Sequence, residues 1–164
     1  MSTPTARIAA AAVALLAAPL ALSACAAPAS TVSNDELAAQ IADGVRAADP
    51  AIADVAVQST DGVAGRTVWV RLYVDLDDEP DLASMVDAAL PAILASSPVR
   101  PVGFYLDVHE APAPATVDFR SRSGLDLTEA ARELGIYDWY SDRVLGASIA
   151  DLEARTGSWD ELRG

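Results

Sequence analysis

Lysine is absent from this chain: all eleven basic side chains are Arg, set against 24 Asp and Glu, for a formal charge of −13. Nucleic-acid binding begins with cations that neutralise phosphates, so a chain this acidic with no basic patch is not expected to take nucleic acid. The single cysteine, Cys25, leaves no intrachain disulfide to form. The single histidine, His109, removes any His/Cys metal cluster. Gly-rich phosphate loops and a Gly-X-Ser-X-Gly nucleophile elbow are missing too. No cofactor, metal site or catalytic residue is expected, and the chain does not read as an enzyme. Apolar residues, at 52% of the chain, are plentiful enough to build one core without covalent staples.

What is present begins at the N-terminus. Arg7 and the free amine supply a positive start, and the roughly 15 residues from Ile8 to Leu22 carry no charge. That run is short of the roughly 20 residues a membrane-crossing helix needs, and Pro19 interrupts it late. It closes on Leu22-Ser23-Ala24-Cys25. These four residues resemble the lipobox of bacterial lipoproteins, and the resemblance covers only the first 25 residues or so. It implies a signal peptide over residues 1–24, removed when Cys25 has received a diacylglycerol. Cys25 would then be the first residue of the mature protein and its lipid anchor, on the extracytoplasmic face of the cell membrane. Cleavage by the ordinary signal peptidase near Ala24 or Ala27 is the rival reading.

Removing residues 1–24 takes away Arg7 and no acid, so the formal charge goes from −13 to −14. Anionic headgroups repel such a domain, and the membrane partner would have to be reached through the lipid itself. One acyl chain binds only marginally, whereas a diacylglyceryl group supplies the two that stable anchoring needs. The lack of Lys with abundant Ala points to a GC-rich bacterial genome of actinobacterial type.

Residues 25–33 are small and polar and read as a tether of at most about 30 Å. A single domain is expected over 34–164. Ser33 or Asn34 caps a first helix that carries Leu37, Ile41 and Val45 at helical spacing and stops at Asp49-Pro50. Residues 52–59 read as a strand, and 67–76 as the clearest strand of all, with Val68, Val70, Leu72, Val74 and Leu76 on one face. A second helix is expected over 81–96, kinked or shortened by Pro91, followed by strands at 102–108 and 116–121. Helix–strand–strand thus recurs, over 34–76 and 81–122. A helical tail follows over 125–164, with a capping box at Asp126-Leu127-Thr128-Glu129 and a last helix from 142 to 156. The fold class expected is α+β: a four-stranded, mainly antiparallel sheet with helices on one face and a C-terminal helical tail.

Alternation then defines an outer sheet face. If Val68, Val70 and Leu72 face the helices, Trp69, Arg71 and Tyr73 face away, and so do Tyr105, Asp107 and His109 of the next strand, with Arg120 joining them. Aromatics with Arg are what binding hot spots favour, so Trp69, Arg71, Tyr73, Tyr105, His109 and Arg120 form the candidate surface for an envelope protein or a small ligand. The structural alternative has the tail fold back over this face, burying Trp139, Tyr140, Ile149 and Leu152. The acidic run Asp75, Asp77, Asp78, Glu79, Asp81 has carboxylates suited to Ca²⁺ but lacks the Gly of an EF-hand loop, and it reads as a turn with helix-capping acids.

Overall fold

The computed structural model describes residues 32–121, 123–136 and 139–164, without the side chains of Trp139 and Tyr140. The signal-like segment, Cys25 and nearly all of the tether lie outside the described residues. The domain opens with α1 (Asn34–Arg46), whose cap Ser33 accepts a hydrogen bond from the Glu36 amide while Asp35 and Glu36 sit at the positive end of the helix. Leu37, Ile41 and Val45 form its buried stripe. Strands β1 (Ile52–Gly62) and β2 (Gly65–Val74) make an antiparallel hairpin. Next comes α2 (Leu82–Ser96), capped by Asp81, which accepts from the amides of Ala83 and Ser84. Pro91 does not end α2, because Leu90, Ile93 and Leu94 on either side of it are all buried. Gly44 permits the close approach of the two helices: a Cβ there would fall 1.7 Å from Ser96 Oγ.

From α2 the chain enters β3 (Gly103–Glu110), which lies parallel to β2, with Trp69 beside Tyr105, Arg71 beside Asp107 and Tyr73 beside His109. The rest comprises α3 (Thr128–Glu133), β4 (Trp139–Ser141), β5 (Val144–Ser148), α4 (Ile149–Thr156) and α5 (Trp159–Arg163). The sheet order is β1-β2-β3-β5-β4, with every pairing antiparallel except β2–β3. The fold is therefore α+β with a mainly antiparallel sheet, as expected. One face carries the core: Val68, Val70, Leu72, Val74, Phe104, Leu106, Val108 and Leu145 pack under α1 and α2.

Three local expectations need correction. Residues 116–121 are not a strand, so the second helix–strand–strand unit lacks its last member. That segment carries only Val117 and Phe119 as large apolar groups. It turns at Asp118, whose carboxylate takes the Arg120 amide and whose carbonyl takes the Ser121 amide. The edge of β3 goes instead to β5, part of what the sequence suggested as a last helix. Val144 and Leu145 suit a half-buried strand, and the helix starts only at Ile149, once Ser148 can cap it. Finally, the tail does not cover the outer face with Ile149 and Leu152. Both belong to the helix-side core, and the side chains of Trp139 and Tyr140 lie outside the described residues.

Candidate functional site

The cover of the outer face is the loop between β3 and α3. Pro112 and Pro114 hold residues 111–117 out of helix and sheet alike. The loop then crosses the face as a strap and is tied down from beneath. Arg71 Nη1 donates to the Asp118 carbonyl at 2.9 Å and Nη2 to the Ser121 carbonyl at 3.2 Å. The Phe119 ring lies over the same guanidinium, 5.2 Å from its carbon to the ring centroid.

Arg71 can hold the strap because Asp107, one strand over at the same register, fixes its other edge. Nε donates to Oδ1 at 3.0 Å and Nη2 to Oδ2 at 2.7 Å, a bidentate pair. Both side chains are almost fully withdrawn from water, at 3% and 2% exposed. Burial works against the Arg71 charge, but the Asp107 hydrogen bonds outweigh it and the net shift of its pKa is upward. The pair's desolvation is offset by the hydrogen bonds that the one guanidinium donates, to both carboxylate oxygens of Asp107 and to the loop carbonyls of Asp118 and Ser121.

His109 extends the network, with Nε2 3.3 Å from Asp107 Oδ2. Burial, the largest effect, holds its imidazole below the ordinary 6.5; Asp107 opposes this and Arg71 adds to it. The ring is therefore neutral at neutral pH. Gly124 is required beside it, because a Cβ there would come within 2.9 Å of the Val108 carbonyl and 3.2 Å of His109 Nε2. Tyr73, 2% exposed, is paired across the strands with His109, and its hydroxyl makes no hydrogen bond among the described residues. Burial pushes its pKa up, against the pull of nearby Arg71.

The strap leaves an opening on either side. Over the charged end is a pocket of about 380 Å³ lined by Tyr73, His109, Glu110, Thr116, Asp118 and Ser121. Over the other end is an aromatic slot of about 250 Å³. Its walls are Trp69, Tyr105 and Phe119, its polar lining is Gln58, Thr60 and Thr67, and Arg120 stands exposed at its edge. The Trp69 and Tyr105 ring centroids are 5.0 Å apart, and those of Trp69 and Phe119 are 6.3 Å apart.

All six residues of the candidate surface are thus on one side of the sheet, but in two environments. Arg71 and His109 belong to the buried polar network around Asp107, with Tyr73 beside it. Trp69, Tyr105 and Arg120 belong to the half-open slot. Sequence reasoning placed Asp107 on the outer face but left it out of the candidate surface, and its main partner is Arg71. Phe119 was missed because it was placed in a strand. Its one legible signal was a lone aromatic in a Pro-bounded polar stretch. In the acidic run, Asp75 accepts the Asp77 amide and Asp81 caps α2. Among the described residues no group of three or more His, Cys, Asp or Glu is placed to hold a metal ion. None of their helices is long and apolar enough to cross a membrane. Comparisons with protein-family models, with curated proteins and with solved structures find no match to this chain.

Proposed function

We propose that this is a lipid-anchored, extracytoplasmic protein whose single domain is a non-enzymatic binding or scaffolding module at the cell envelope. The observation that carries the reading is Cys25, the chain's sole cysteine, closing an apolar run on Leu22-Ser23-Ala24. The acidic domain supports it, since it has no charge of its own with which to hold an anionic membrane. Helix α1 begins at Asn34, so the short tether keeps the domain near the bilayer. The half-open aromatic slot beside a pinned strap supports a binding role, because such sites are concave, largely apolar and preformed.

The test is Cys25→Ser expressed in a bacterial host with an azido fatty acid. Wild type should incorporate label and fractionate with membranes, whereas the variant should remain an unlabelled precursor. A variant that matures and fractionates like wild type would remove the anchor from the account.

One observation favours a second reading, an envelope-associated enzyme: His109, in contact with Asp107, lines a pocket shared with Glu110 and Asp118. Against it, Asp107 is already committed to Arg71, and no nucleophile is hydrogen-bonded to the ring among the described residues. Hydrolysis of envelope-derived esters or amides that is lost in His109→Gln would establish the enzyme.

A further inference from the structure

Three openings among the described residues differ in whether a cation is left to meet a ligand. A pocket of about 260 Å³ between α2 and α4 is lined by Leu90, Phe104, Ile136 and Arg155, but Arg155 is spent on Asp87 and the Leu134 carbonyl. In the pocket over His109, Arg71 is spent on Asp107 and on the strap. In the aromatic slot, Arg120 uses its backbone amide to close the turn at Asp118, while its guanidinium makes no hydrogen bond or ion pair among the described residues. Most arginines of the domain are paired, as a protein with more than twice as many acids as bases makes easy. Among the described residues Arg120 and Arg132 make no side-chain hydrogen bond or ion pair, and of these two Arg120 lines the aromatic slot.

Resting on the binding-module reading, we propose that this slot binds a small molecule with a flat apolar body and a single carboxylate. Trp69, Tyr105 and Phe119 give the body three ring surfaces, and Gln58, Thr60 and Thr67 bring no charge to compete for the anion. Arg120 offers the planar fork that matches a carboxylate with two parallel hydrogen bonds. A dianion such as a phosphate would meet Arg120 as the one cation lining the slot among the described residues, in the field of a chain with charge −13, so the single negative charge is the better match. A volume of about 250 Å³ sets the size at that of a substituted ring, below the usual range for larger ligands.

The experiment uses the full-length lipidated protein in nanodiscs, with empty nanodiscs as the blank, and ligand-observed NMR of three probes: phenylacetate, phenylacetamide and methyl β-glucoside. Phenylacetate should bind saturably, with a dissociation constant on the order of 1 mM for so few atoms. Phenylacetamide should bind at least about fivefold more weakly. Arg120→Gln, at an exposed position outside the core, should bring phenylacetate down to the level of the amide, while Arg132→Gln on α3 should change nothing. Equal binding of acid and amide, or an Arg120→Gln variant that binds like wild type, would overturn the carboxylate assignment. Preference for the glucoside, or no saturable binding of any probe, would overturn the ligand class. The latter results leave the anchor untouched, since that stands or falls with Cys25→Ser.

Discussion

The two faces of the sheet are built from the same strands by different physics. The helix side is filled by Val68, Val70, Leu72, Val74, Leu106 and Val108, whose burial is worth roughly 1.5–3 kcal/mol each. The outer side has Trp69, Arg71, Tyr73, Tyr105, Asp107 and His109 at the intervening positions, and a strap tied by hydrogen bonds in place of helices. Apolar cover is non-directional and tolerates exchange. Polar cover is directional, so each group depends on a few specific partners. The outer face should therefore fail at single atoms, where the inner face fails by volume.

The sharpest contrast is at the buried pair. Asp107→Ala leaves the Arg71 charge in a dry site and should cost about 3–5 kcal/mol in urea unfolding, as much as the largest core truncations. Replacing both, Arg71→Met with Asp107→Leu, should recover most of that loss while freeing the strap. Recovery together with an unchanged strap would break the comparison. Leu72→Ala on the helix side removes a fully buried side chain and should cost about 2–5 kcal/mol, with no effect on the strap. Asp81→Ala removes the cap that serves two amides of α2 and should cost about 1 kcal/mol in the same assay.

Two smaller effects are read by titration. His109 has a folded pKa below its unfolded value of about 6.5, so the unfolded chain takes the proton first. Stability should therefore decline as pH falls from about 6.5 to the folded pKa and level off below it, and His109→Gln should flatten that segment. On the exposed surface, Arg100 and then the Trp159 amide hold the Glu153 carboxyl at about 2. Being depressed, that pKa gives a contribution present above the unfolded value and lost as pH falls toward 2. NMR titration of Arg100→Gln should show the Glu153 pKa rising toward 4.5, with little change in the melt.

How much was legible in the sequence follows the same division. Alternation in Thr67–Val74 identified both faces, and helical spacing with a Ser or Asp cap located α1 and α2. These are local patterns that the tertiary structure had no reason to override. The strap was not legible, because what places it is Arg71, 47 residues before the Asp118 carbonyl it holds. Strand β5 was misread because Gly146 weakens a helix and a strand alike, and only its place opposite Tyr105 gives the missing side chain a purpose. The strand residues of the candidate surface share one face as alternation suggested, whereas Arg120 comes to that side on the strap and not on a strand, and the division into a buried network and an open slot depends on a contact no spacing announces.

The central claim is that the strap lies on the sheet, held by Arg71. In the wild-type protein near neutral pH, nuclear Overhauser effects should connect the Arg71 guanidinium protons to the Phe119 ring, and the Arg71 Nε proton should exchange with water far more slowly than those of exposed arginines. Missing Arg71–Phe119 contacts, with Arg71 exchanging as fast as Arg132, would contradict the account.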